Sequence, residues 1–127
     1  MKKKRIFLID DEKDFCFFVK GCLENTGEFD VLLSNSGAEA IKLVQRKKPD
    51  LILLDIMMPE MSGDEVAEIL LDNPETAKIP IVFLTAMVTK EENEYEPLTT
   101  RGGRDFIAKP VTTQELVYAI KKTLGEE

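Results

Sequence analysis

The sequence predicts an α/β fold, a parallel sheet with helices on both faces. Two features of the sequence predict it. Short, continuously apolar runs (Ile6–Ile9, Leu51–Leu54, Ile81–Leu84) alternate with segments whose apolar residues recur at helical spacing. Those runs carry no polar alternation, which is the pattern of strands buried on both faces. At 127 residues the chain forms one domain, long enough to bury a core without disulfide or metal staples.

Taken in order, the first strand is Ile6–Ile9. Phe15, Phe18, Val19, Cys22 and Leu23 then follow the i, i+3, i+4, i+7, i+8 spacing of one helical face, and Gly27 ends that helix. Cys16 and Phe17 fall off this stripe. Phe29–Leu33 is a second, shorter strand. Ser36 is placed to cap a helix with Ala40, Ile41 and Val44 on its apolar side, closed by Pro49. Leu51–Asp55 is the third strand, followed by a loop marked by Pro59 and Gly63. Asp64 to Leu71 is helical, with Val66, Ala67, Ile69 and Leu70 facing inward. Asn73-Pro74 and Pro80 punctuate a loop before the fourth strand, Ile81–Thr85. Phe106–Ala108 is the fifth strand. Thr112 with Glu115 forms a capping box for a last helix that turns Leu116, Ala119, Ile120 and Leu124 inward.

Thr89–Gly103 breaks the alternation. A helix belongs between the fourth and fifth strands, yet the segment holds Pro97, few apolar residues and a Gly102-Gly103 pair. An interior proline costs a helix about 3 kcal/mol. The expectation is a short helix around Glu91–Glu96 at most, with a mobile or non-helical path over the rest.

Composition excludes several functions. The chain has no histidine, so it cannot by itself build a Ser-His-Asp triad or a His-ligated zinc site. The net charge of -7 argues against direct nucleic-acid binding, and the short basic run Lys2–Arg5 reads as a solvated lead-in to the first strand. Cys16 and Cys22 lie almost two helical turns apart, too far for a disulfide, and no apolar segment is long enough for a membrane. A reducing cytoplasm is the expected setting.

The chemistry lies at the carboxyl ends of the strands, where open α/β sheets bind ligands. Asp10 and Asp11 follow the first strand, Asp55 ends the third, Thr85 the fourth, and Lys109 follows the fifth. Each alone is ordinary: a helix cap, a strand-end hydroxyl, a surface lysine. Together on one sheet edge, three carboxylates demand a cation, and their oxygens suit Mg²⁺. Lys109 and Thr85 suit phosphoryl oxygens. Asp55 is then the natural nucleophile.

With Asp10-Asp11, Asp55 in LDIMMPEMSG, Thr85-Ala86, Phe106 and Lys109-Pro110, the whole chain resembles the receiver domain of two-component response regulators, of the stand-alone chemotaxis-regulator kind. The resemblance implies a flavodoxin-like doubly wound sheet of five parallel strands, order 2-1-3-4-5, with about five helices, the fourth short or irregular. It implies a single receiver domain over residues 1–127 with no output domain. Asp55 would accept a phosphoryl group from the phosphohistidine of a sensor histidine kinase or a histidine phosphotransfer protein. Asp11, Asp55 and the Met57 carbonyl would hold Mg²⁺ directly (Mn²⁺ substituting), and Asp10 through water. Lys109 would pair with Asp55 and then with the phosphoryl group, and the Lys109-Pro110 bond would be cis. Thr85 and Phe106 would move as a switch read by a downstream protein target. Met57 and Met87 would flank the route of water to the phosphoryl group and slow its loss. Phe17, with Cys16 beside it, would dock on a partner's histidine-bearing helices. Two other functions compete. A phosphorylation-independent scaffold would normally lose part of the acidic set, which is intact. A Mg²⁺-dependent aspartyl-phosphate phosphatase expects a second acid where Met57 stands.

Overall fold

The structure is a computed structural model and describes residues 3–85, 98–101, 104–109 and 112–125. Its elements are β1 (Lys4–Ile9), α1 (Lys13–Asn25), β2 (Phe29–Ser34), α2 (Gly37–Lys47), β3 (Leu51–Asp55), α3 (Gly63–Asp72), β4 (Ile81–Thr85), β5 (Leu98–Arg101), β6 (Arg104–Ala108) and α4 (Thr113–Thr123). The sheet order is β2-β1-β3-β4-β6-β5. The first five of these strands are parallel, in the order the sequence reading expects.

Alternation along each strand divides the core between two layers. Ile6, Leu8, Leu51, Leu53, Val82, Leu84 and Ile107 point to one face, against Val19 and Leu23 of α1 and Leu116, Ala119 and Ile120 of α4. Phe7, Ile9, Ile52, Leu54 and Phe83 point to the other, against Ala40 and Val44 of α2 and Val66, Ala67 and Leu70 of α3. Strands covered on both faces must be apolar at every position. Each such side chain, fully buried, contributes about 1.5–3 kcal/mol.

The helix ends follow the expected chemistry. Ser36 and Ser62 accept hydrogen bonds from the backbones of Glu39 and Glu65, and Thr112 and Glu115 form the capping box. The α2 C-terminus is closed from the first strand, where the Arg5 guanidinium donates to the carbonyls of Lys47 and Lys48. Among the described residues no helix is long and apolar enough to cross a membrane.

The structure corrects the expectations in three places. On α1 the buried stripe is Cys16, Val19 and Leu23, while Phe18 is exposed and Cys22 half-buried. Both stripes share Val19 and Leu23, and packing on the sheet rotates the helix toward the smaller Cys16. Cys16 is therefore a core residue and cannot dock on a partner; Phe17, 77% exposed, is free of the core. On α3, Ile69 is partly exposed rather than inward.

The third correction is at the sheet edge. Leu98–Arg101 is a sixth strand, antiparallel to β6, and β6 begins at Arg104, two residues before the predicted start. The path there is non-helical, as Pro97 and the glycine pair predict. Four helices lie among the described residues. The short helix expected at Glu91–Glu96, Met87 and the Lys109-Pro110 bond lie outside them.

Candidate functional site

The site grows from the carboxyl ends of β1, β3, β4 and β6. At the end of β1, the Asp10 N–H donates to the Ser34 carbonyl at 3.1 Å, continuing the ladder to β2 one residue past the strand. The Asp10 carbonyl accepts from Asn35 Nδ2 at 2.8 Å and from the Cys16 thiol at 3.4 Å. Burial, with the nearby Asp10 charge, pushes that thiol up to about 12, so it stays protonated and donates. The Asp10 carboxylate is fully buried and accepts from the Glu12 N–H at 2.9 Å and from Lys109 Nζ at 2.7 Å.

Asp55 is 5% exposed at the end of β3. The chain then turns tightly. The Gly63 N–H reaches back to the Ile56 carbonyl at 2.8 Å, and a Cβ on Gly63 would collide with the Asp55 carbonyl oxygen and lie 2.8 Å from Ile56 Cα. Glycine is needed here for close approach of two backbones.

Thr85 is buried at the end of β4, and its carbonyl accepts the Lys109 N–H at 2.9 Å. That bond fixes Lys109 beside the acids. Its Nζ lies 3.6 Å from Asp55, 3.1 Å from Glu12 and 4.4 Å from the centroid of the Phe15 ring. Asp10 is thus its shortest partner, ahead of the Asp55 pairing that the resemblance implies.

Three acids meet here. Ligand oxygens of Asp10, Asp11 and Asp55 lie within 4.8 Å of one another. Burial, reinforced by the Asp10 charge, pushes Asp55 up to about 6 despite Lys109. Burial also raises Asp10, against the opposing bond from Lys109. For Lys109, burial works to lower the pKa, but its bond to Asp10 and the charges of Asp10 and Asp55 outweigh it and the net shift is upward. One ammonium does not neutralise three carboxylates. A set of hard oxygen donors with excess negative charge fits a small divalent cation such as Mg²⁺.

The remaining predicted residues lie on separate elements. Phe106 is half-buried on β6 and stacks on Phe83, with centroids 5.3 Å apart. Met57 is 65% exposed beside Asp55. Phe17 is exposed on α1. Sequence reasoning missed Glu12, Asn35 and the role of Phe15 at Lys109, and named Gly63 only as a loop marker. Asn35 carried a usable signal, because it follows a strand on the same edge as the acids. The others depend on contacts between elements that no local pattern reports.

Comparison with known proteins identifies the family. Residues 6–121 match the response regulator receiver domain family. The polar-differentiation response regulator DivK of Brucella ovis is 32% identical over 123 residues, covering 97% of this chain and 98% of that protein. A response regulator from Desulfuromonas acetoxidans superposes with a TM-score of 0.78 at 32% identity, over 96% of this chain and 97% of that one. The receiver domain of the sensor histidine kinase PA1611 from Pseudomonas aeruginosa PAO1, solved with a magnesium ion in its active-site cleft, shares the fold with a TM-score of 0.81. Its identity is 24%, over 98% of this chain and 100% of that chain. The chain belongs to the response regulator receiver domain family.

Proposed function

We propose that this chain is a phosphorylation switch in which Asp55 accepts a phosphoryl group from a partner's phosphohistidine. The observation that carries this reading is the convergence of Asp10, Asp11 and Asp55 on one sheet edge, with Lys109 3.6 Å from Asp55. An Asp55 carboxylate oxygen attacks phosphorus in line. The O–P bond forms, the P–N bond to imidazole breaks, and the imidazole nitrogen takes a proton from water. Asp10, Asp11, Asp55 and the Met57 carbonyl are the groups that would hold Mg²⁺ or Mn²⁺; bound there, the ion neutralises charge on the acids and on the phosphoryl oxygens. Lys109 exchanges its bond to Asp10 for one to a phosphoryl oxygen, and the Thr85 hydroxyl donates to another. Thr85 and Phe106 then move together, which changes the surface offered to a downstream protein.

The chain supplies the nucleophile for its own phosphorylation and the site of its own dephosphorylation, and acts on no other substrate. The donor is a sensor histidine kinase or a histidine phosphotransfer protein. Phe17 is an exposed aromatic suited to anchor that donor. Met57, 65% exposed, is suited to shield the phosphoryl group from water. We assign the protein to the cytoplasm, where its free thiols Cys16 and Cys22 would stay reduced. Residues 1–127 act as one receiver unit, a reading supported by the DivK relative, which matches over 98% of its own length.

Incubation with acetyl phosphate and Mg²⁺, followed by intact mass, tests the reading. One added phosphoryl mass in the wild type and none in Asp55→Asn is the expected result. Equal labelling of both proteins, or none in either, overturns it.

A further inference from the structure

A line of contacts joins the Asp55 backbone to Phe106. Arg104, at the start of β6, places Nη1 2.8 Å from the Asp64 carboxylate on α3. The same guanidinium lies 5.4 Å from the ring centroid of Phe83, which is buried on β4. Phe83 stacks on Phe106, the two rings inclined by 25°. At the other end, Asp64 directly follows Gly63, which packs on the Asp55 and Ile56 backbone. The loop after the phosphoacceptor, the α3 N-terminus, Arg104, Phe83 and Phe106 therefore form one contiguous chain.

We propose that the Arg104–Asp64 pair is a latch that holds Phe106 in its stacked arrangement and couples it to the loop following Asp55. Arg104 is a positioning residue, acting on Phe106 through Phe83. The proposal deepens the switch reading and rests on it for the meaning of the Phe106 motion. Asp64 is largely exposed and Arg104 less so, and an ion pair of this kind alone is weak. Arginine adds to it because one guanidinium serves two partners, the Asp64 carboxylate and the Phe83 ring it lies over. Together these bias the stacked arrangement about three- to tenfold. Breaking the latch frees Phe106 and eases switching. Asp64 also favours the α3 N-terminus by its charge, so it would be retained for that reason alone; coupling to Phe106 separates the two roles.

The test places 4-fluorophenylalanine at position 106 and follows its fluorine NMR signal in the unphosphorylated protein. The set is wild type, Arg104→Gln, Asp64→Asn and the double variant, each checked for native circular dichroism. The latch predicts that either single change lowers the stacked population about threefold or more. It predicts that the double change adds nothing further, and that high salt moves the wild type toward the variants while leaving the variants unmoved. Additive effects, or a signal indifferent to Arg104 and Asp64, overturn it. Phosphoryl uptake from acetyl phosphate, measured by mass on the same samples, isolates the underlying reading. Uptake without coupling overturns the latch alone; coupling without uptake supports the latch and overturns the phosphorylation reading.

Discussion

From Ile6 to Asp10, and again from Leu51 to Asp55, every residue is buried, and each of these strands is paired on both sides. On β6, Arg104, Asp105 and Phe106 are half-buried, and the neighbouring β5 is a four-residue strand at the sheet margin, paired with β6. The acids sit on the first kind of scaffold, and Phe106, the aromatic proposed to move, sits on the second. A nucleophile and its cation ligands must be held to a fraction of an ångström, which interior strands do well. A switch must have two arrangements close in free energy, and partly covered side chains one strand in from the sheet margin permit that.

Substitutions sharpen the contrast, beginning with the largest effects. Leu53→Ala, in the central strand, is expected to cost about 3 kcal/mol, whereas Leu98→Ala on β5 is expected to cost about 1 or less, both read by urea denaturation. Equal losses would remove the distinction between the two regions. Gly63→Ala pushes a methyl group into the Asp55 backbone and should cost about 2–3 kcal/mol while also weakening divalent-cation binding, followed by calorimetric titration.

The charge on Asp55 gives the next effect. Its carboxyl has a pKa of about 6 in the folded protein against 3.8 as its ordinary value. Between those values the folded state binds more protons than the unfolded one, so stability falls as pH rises through about 4 to 6 and stays lower above that. A two-unit shift corresponds to about 2–3 kcal/mol. In protein stripped of divalent cations, Asp55→Asn should remove most of this slope and be more stable than wild type at pH 7. Added Mg²⁺ should narrow the gap. A wild type whose stability rises over that range would contradict the account of the buried acids. The smallest effect is at a helix end: Thr112→Ala should cost about 1 kcal/mol by loss of the cap, with no change at the site.

Much of this was legible in the sequence, for physical reasons visible in particular residues. Ile6–Ile9, Leu51–Leu54 and Ile81–Leu84 are apolar at every position because both sheet faces are covered, and that condition leaves a direct trace in composition. Asp10, Asp55, Thr85 and Lys109 were legible because a polar residue directly after such a run must lie on the ligand edge. Leu98–Arg101 was not. Two of its four residues are threonine, its hydrophobicity is slight, and it exists as a strand through pairing with Phe106 and its neighbours on β6. The rotation of α1 was hidden because Phe18 and Cys16 both complete a helical stripe with Val19 and Leu23, and only packing chooses between them. The hold of Asn35 and Cys16 on the Asp10 carbonyl joins residues that local spacing does not connect.

The central claim is that the three acids and Lys109 make Asp55 alone the phosphoacceptor. Borohydride reduces an acyl phosphate to the alcohol, so it would convert a phosphorylated aspartate to homoserine and mark the acceptor permanently. Protein treated with acetyl phosphate, with Mg²⁺ or with a chelator, then reduced and sequenced by mass spectrometry, gives a direct answer. The account predicts homoserine at position 55 only, and only with the cation present. Homoserine at position 10 or 11, or at 55 to the same extent under chelation, would contradict it.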